Sequence, residues 1–282
     1  MQVDHVDIQG RRIRYAVRPG SPARTPLLFL NGLGANIELA QPFIDALPEP
    51  TVVIFDVPGV GGSPTPAMPY RPSTIARLAA RLLDRLGFDE VNVLGVSWGG
   101  VIAQQFAFQY AQRCRRLVLA ATAPGLPMVP GRPSVLLKML TPRRYVDPLH
   151  AHRVAGDIYG GLFRRESALV DQTLRHVRFS SRLGYYMQLA ALLGWTSVPW
   201  LASMRQPTLI MTGIDDPMIP VINARFMRWL IPDARLELLD CGHLFLITLA
   251  EQSAHIVEAF LTEPRQQQSE AAFSRPLSRR MQ

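Results

Sequence analysis

Apolar residues fall along this chain in short, almost unbroken runs, separated by longer stretches of helical spacing. Segments 3–8 and 12–17 flank Gln9-Gly10 and predict a β-hairpin. Segments 27–31, 51–56, 91–95, 116–121, 208–213 and 235–240 are short and rich in Val, Ile and Leu, and read as strands. Most are near-continuously apolar, as strands of a parallel sheet covered on both faces must be. Helical patterns fall at 37–47, 73–86, 98–111, 223–230 and 249–261. This alternation predicts an α/β fold built on a doubly wound, mostly parallel sheet of eight strands. In such sheets chemistry collects beyond the C-terminal strand ends. Asn31-Gly32, Asp56, Ser97, Asp216 and His243 all follow predicted strand ends.

The alternation stops at Pro124 and resumes near Pro207. The intervening stretch is helical in flavour and is read as a lid inserted after the sixth strand. The expected organisation is a core over 1–123 and 199–264, a helical lid over 124–198, and a polar, disordered tail over 265–282. No internal repeat is visible.

The most informative motif is Gly95-Val96-Ser97-Trp98-Gly99, which lies between a predicted strand and a predicted helix. A serine presented on a sharp strand-to-helix turn needs glycine two residues to either side, because side chains there would collide with the turn. A serine hydroxyl is a weak nucleophile at neutral pH and needs a base. His243 follows the last strand, and Gly242 permits a tight turn that aims its imidazole back over the sheet. The histidine in turn needs an acid to hold its tautomer. Asp216 is the candidate, three residues past Gly213, with Asp215 as the nearer competitor and Asp240 as a weaker one. The order Ser, Asp, His is that of an α/β-hydrolase fold. His5, His150, His152, His176 and His255 lack a strand-end setting, although His150 and His152 could face a substrate. Two backbone amides are needed for the oxyanion, and Leu33 and Trp98 are the candidates. Asn31 and Gly32, in the loop that carries Leu33, are candidate substrate-binding residues.

Other features narrow the chemistry. The glycine-rich run 56–63 lacks the Lys-Ser/Thr of a phosphate loop and opens no helix, so it is read as a structural loop at the site's mouth. Cys241 and His243 alone make a poor metal pair, so neither metal nor cofactor is expected. The two cysteines, Cys114 and Cys241, give no disulfide framework, and a reducing cytoplasm is the expected compartment. No window of 18 apolar residues and no leader pattern at Met1 are present, so neither a membrane span nor a signal peptide is expected. The net charge is +8 and almost wholly arginine, with Lys138 the one lysine. Between 124 and 198 ten basic residues face four acidic ones, a surplus suited to an anionic partner. Basic residues are not interleaved with stacking aromatics, which argues against nucleic acid. Tyr185, Tyr186, Met187, Leu189, Leu192, Leu193, Trp195 and Trp200 crowd sixteen residues of the lid. They read equally as core packing or as an acyl-binding wall, with Tyr185 and Trp195 the candidate substrate contacts.

Several strings go further. Phe29-Leu30-Asn31-Gly32, the run 55–63, Val93-Leu94-Gly95-Val96-Ser97-Trp98-Gly99-Gly100, Ala103-Gln104-Gln105-Phe106-Ala107 and the run 116–123 resemble the intracellular medium-chain-length poly(3-hydroxyalkanoate) depolymerases. So do Asp157-Ile158-Tyr159-Gly160-Gly161, Leu183-Gly184-Tyr185-Tyr186, Gly194-Trp195-Thr196-Ser197 and Gly242-His243-Leu244-Phe245-Leu246. The resemblance covers roughly 25–262, lid included. It departs from most relatives of the fold at Asn31, where His-Gly is usual. It implies a serine hydrolase whose triad is Ser97, Asp216 and His243, acting in the cytoplasm on stored polyester granules, with granule-coat proteins as possible partners. The residues alone support an ester hydrolase; the polymer comes only from the resemblance. A carboxylesterase or lipase of soluble medium-chain esters, and a non-catalytic granule- or ligand-binding protein, remain alternatives.

Overall fold

The computed structural model describes residues 1–264, so the expected tail at 265–282 lies outside the described residues. The first half of the chain runs β1 (Gln2–Ile8), β2 (Arg11–Arg18), β3 (Leu27–Leu30), α1 (Gln41–Ala46), β4 (Val52–Phe55), α2 (Pro72–Leu86), β5 (Val91–Val96), α3 (Trp98–Gln109) and β6 (Cys114–Ala120). Six short helices follow: α4 (Pro133–Met139), α5 (Arg143–Val146), α6 (Pro148–Tyr159), α7 (Ala168–Leu174), α8 (Arg182–Ala191) and α9 (Val198–Leu201). The chain then returns through β7 (Thr208–Gly213), α10 (Val221–Leu230), β8 (Ala234–Leu239), α11 (Phe245–Thr248) and α12 (Ala250–Thr262).

All eight strands form one sheet, in the order β1-β2-β4-β3-β5-β6-β7-β8. The β1–β2 and β2–β4 pairings are antiparallel, and every pairing from β4 through β8 is parallel. The β1–β2 turn places Gln9 and Gly10 at φ 56° and 74°, the two positive values that a tight hairpin matching the strand twist requires.

Side chains alternate across the sheet. Leu28, Leu30, Val53, Val93 and Leu117 pack beneath α2, α3 and α10, against Ile75, Leu82, Ile102, Phe106 and Met227. Their neighbours Leu27, Phe29, Val52, Leu94 and Val118 pack on the opposite side, against Phe43 of α1, Phe245 of α11 and Val257 and Phe260 of α12. Burial on both faces is why these strands read as continuous apolar runs. Each such side chain contributes on the order of 1.5–3 kcal/mol.

One helical segment differs from its sequence pattern. The stretch 37–47 is divided into a tight turn at Ile37–Ala40 and α1, which carries Pro42 in its first turn. Pro42 has no N–H for the Glu38 carbonyl and its ring crowds that oxygen, so one continuous helix is excluded. The stretch 249–261 forms α12 as expected, and Leu249 at φ −124° and ψ 46° separates it from the preceding single turn α11.

The helical insert leaves and rejoins the core at one place. Gly125 and Thr196 form an antiparallel bridge, and the Ser197 amide donates to the Pro124 carbonyl at 2.8 Å. Ser197 Oγ also donates to Gln104 Oε1 of α3 at 2.7 Å. The two ends are therefore tied together and to the helix that follows Ser97.

Candidate active site

Ser97 stands between β5 and α3 at φ 54° and ψ −117°, a backbone conformation that side chains rarely adopt. Strain of this kind persists only where the surroundings enforce it. Here they do: a Cβ on Gly95 would lie 2.3 Å from the Gly99 carbonyl, and one on Gly99 would lie 2.0 Å from that of Leu30. The two glycines thus let α3 start hard against β5 and the end of β3. The Ser97 amide donates to Ala120 O at 2.8 Å, and its carbonyl accepts from Thr122 Oγ1 at 2.8 Å. The turn is fixed by its backbone, and the hydroxyl is left for other work.

His243 follows β8 and is 3% exposed. Its amide donates to the Tyr159 carbonyl at 2.7 Å. Its Nδ1 lies 2.6 Å from Asp216 Oδ2. The other Asp216 oxygen accepts from the Met218 and Ile219 amides, each at 2.9 Å. A carboxylate so bonded can only accept from Nδ1, which assigns the ring proton to Nδ1 and leaves the lone pair on Nε2. The imidazole is therefore set as a base.

The competing carboxylates lie elsewhere. Asp215 accepts from the Gly161 amide at 2.7 Å and from Arg164, tying the post-β7 loop to the insert. Burial pushes its carboxyl up, but the bonds from Arg164 and Gly161 outweigh this and hold it below the usual range. Asp240 is exposed. His152 pairs with Asp171 on the insert, and the His150 amide caps α6 through Asp147.

The loop after β3 carries the expected amide donors. Asn31 Nδ2 donates to the Asn36 carbonyl at 2.7 Å, while its Oδ1 accepts from the Gly32 amide at 3.0 Å. The Gly34 amide donates to Gln188 Oε1 at 2.8 Å, and the Ala35 amide donates to the Gly32 carbonyl at 3.1 Å. Among the described residues the Leu33 amide alone in this loop segment, 32–35, makes no bond within the protein. Trp98 stands first in α3, where an amide has no intrahelical acceptor. Tyr145 Oη donates to the Leu33 carbonyl at 2.7 Å and so steadies the peptide beyond that amide.

The run 56–63 clamps this loop. Asp56 is fully buried and accepts from the Ile37 and Gly62 amides and from Arg14, each at 2.8 Å. Arg14 also pairs with Glu38 at 2.6 Å. Burial pushes the Glu38 carboxyl up, but the bonds from Arg14 and Asn36 prevail and hold it down at about 2.

Ser97, His243, Asn31, Gly32 and Leu33 line one cavity between the strand ends and the insert. Its deep wall is apolar, from Phe29, Leu39, Phe43 and Leu246. Tyr185 and Trp195 do not line it. Tyr185 is 1% exposed and donates to the Met139 carbonyl at 2.6 Å, while Trp195 Nε1 donates to Gln105 on α3 at 2.9 Å. The tyrosines that do line it are Tyr145 and Tyr159, joined by Arg144. No local pattern distinguished these three; Arg144 and Tyr145 sit on a single helical turn, and α6 buries its own stripe through Val154 and Ile158.

This geometry is that of a fold family. Residues 25–249 match the family model described as alpha/beta hydrolase fold, and the chain belongs to that family. Over 262 residues, 93% of each chain, it is 56% identical to the poly(3-hydroxyalkanoate) depolymerase of Ectopseudomonas oleovorans. It is 26% identical to 3-oxoadipate enol-lactonase 2 of Acinetobacter baylyi, across 92% of this chain and 96% of that one. The crystal structure of the enol-lactonase from Burkholderia xenovorans superposes with a TM-score of 0.79 at 24% identity, covering 92% of this chain and all of that one, and shares its fold. The chain is an ester hydrolase.

Proposed function

We propose that this enzyme hydrolyses the ester links of medium-chain-length poly(3-hydroxyalkanoate) in the cytoplasm, at the surface of stored granules. The observation that carries the reading is a nucleophile-turn serine and an aspartate-held histidine lining one largely apolar cavity, in a chain 56% identical to a poly(3-hydroxyalkanoate) depolymerase.

Ser97 is the nucleophile, His243 the base and Asp216 the acid that holds it. His243 Nε2 takes the hydroxyl proton as Ser97 attacks the ester carbonyl. The oxygen that becomes negative is received by the Leu33 and Trp98 amides, the latter at the positive end of α3. His243 then protonates the departing hydroxyl, and water releases the acyl group by the reverse path. The apolar wall around Phe43 and Leu246 suits an alkyl side chain, whose burial contributes about 25 cal/mol per Å2 before entropic costs.

Surface features support work on an insoluble substrate. Leu136 and Leu137 on α4, Leu140 just past its end and Leu149 on α6 are 39%, 66%, 55% and 75% exposed. Exposed apolar side chains grouped this way favour an apolar surface. The basic surplus of the insert supports attraction to an anionic granule coat, and binding that ignores added salt would remove that part. No helix among the described residues is long and apolar enough to cross a membrane. The test compares turnover of an amorphous medium-chain polyester latex with that of short p-nitrophenyl esters, with products identified. Release of 3-hydroxyacids from the latex is expected; turnover of the soluble esters alone would favour the carboxylesterase reading.

A further inference from the structure

Arg144, on the single-turn helix α5, is a buried cation without a counter-ion. It is 3% exposed, and no carboxylate among the described residues lies within ion-pair distance. Its Nη1 donates to Tyr185 Oη at 2.7 Å and to the Thr141 carbonyl at 3.4 Å, and its Nη2 donates to Tyr145 Oη at 3.2 Å. Its Nε is buried and has no partner. The guanidinium carbon stands 4.3 Å from the centre of the Tyr145 ring. Its surroundings are therefore phenols and ring faces. Burial pushes the Tyr185 hydroxyl up to about 12 and that of Tyr159 further still, so neither phenol is an anion at neutral pH. A guanidinium does not give up its proton. An uncompensated buried charge is costly, and such a group is retained where an anion completes it.

Arg144 lines the same cavity as Ser97 and His243. We propose that Arg144 is a receptor for the free carboxylate of a 3-hydroxyacyl chain end, so that the enzyme removes the terminal unit from the carboxyl end of its substrate. The inference rests on the polyester reading above. In an oligomer of 3-hydroxyacids, the last ester oxygen and the terminal carboxylate belong to the same unit, separated by carbons 3 and 2. With the carboxylate at Arg144, that unit is the leaving alcohol. Ser97 Oγ bonds to the acyl carbon, the ester C–O bond breaks, and His243 passes the serine proton to the departing 3-oxygen. The released 3-hydroxyacid carries its carboxylate away. Water then frees the shortened chain, which ends in a new carboxylate for the next cycle. A buried guanidinium–carboxylate bond also provides selectivity that the apolar wall cannot, because an ester cap leaves the charge unanswered.

The experiment uses the linear dimer of 3-hydroxyoctanoate as the free acid and as its methyl ester. The intact enzyme is expected to favour the free acid in kcat/KM by about ten- to a hundredfold, the worth of a charged hydrogen bond. In Arg144→Gln that ratio is expected to fall toward one, whatever common loss both substrates suffer, and Arg144→Lys keeps part of it. A merely structural arginine would lower both substrates alike and leave the ratio intact. If the variants do not fold, the ratio in the unaltered enzyme still decides. Equal cleavage of both dimers overturns the proposal and leaves the polyester reading standing; cleavage of neither also overturns the proposal, and the latex assay then decides the polyester reading by itself.

Discussion

Asp216→Asn changes one atom's chemistry and should disable the base through its tautomer. Asp216 Oδ1 accepts from two backbone amides, those of Met218 and Ile219, each at 2.9 Å. An asparagine in this place must turn its carbonyl toward them, because its NH2 would meet two donors. The NH2 then faces His243 Nδ1, 2.6 Å from the former Oδ2. Nδ1 is forced to accept, its proton moves to Nε2, and the lone pair needed by Ser97 is lost. The same change in comparable triads costs about 10⁴ in kcat, or about 5.5 kcal/mol of barrier. Stability should fall by only about 1 kcal/mol, because one charge-assisted bond becomes a neutral one and no cavity opens. The assay is steady-state hydrolysis of p-nitrophenyl octanoate, beside urea unfolding of both proteins. Asp215→Asn is the control: its partly exposed pair with Arg164 is worth about 0–1 kcal/mol, so kcat should stay within about fivefold. The reasoning is refuted if Asp216→Asn retains a tenth of the activity, or if Asp215→Asn is the more damaging change.

Three further outcomes follow from the site's supports. Tyr145→Phe removes the bond to the Leu33 carbonyl and should lower kcat by about five- to tenfold, since a loosened oxyanion amide is felt mainly in the transition state; an unchanged kcat would contradict this. Gly99→Ala places a methyl 2.0 Å from the Leu30 carbonyl, so Tm should drop by about 5 °C or more, and a Tm equal to the parent's would show that α3 can shift freely. Glu38, with an ordinary value of 4.5 held down at about 2, stabilises the fold above pH 4.5 and loses that contribution as pH falls toward 2. The stability gap between the parent and Glu38→Gln should therefore narrow across that window; a gap independent of pH would separate Glu38 from acid stability.

Much of this was legible in the sequence because the physics is local. Leu27 and Leu28 must both be apolar since the sheet is covered on both faces, and the glycines around Ser97 are demanded by a turn a few residues long. The loop position of Asp216, three residues past Gly213, put it rather than Asp215 beside His243. What stayed hidden depends on where distant segments meet. Tyr185 and Trp195 were conspicuous by type, yet type says nothing about direction, and both point into packing instead of the cavity. Arg144 looked like one basic residue among ten in the insert; its burial among tyrosines exists only once α5 and α8 are folded over the β3 loop. Asn36 was silent for the same reason, as its partners His176 and Arg178 lie far along the chain.

The most direct test of the central claim is covalent. The protein is treated with a serine-directed fluorophosphonate, and its intact mass and peptide map are read. One adduct on Ser97 is expected, formed in step with loss of esterase activity, absent in Ser97→Ala and slowed in His243→Ala. An adduct on another residue, or full ester hydrolysis by Ser97→Ala, would contradict the assignment of the nucleophile and the mechanism built on it.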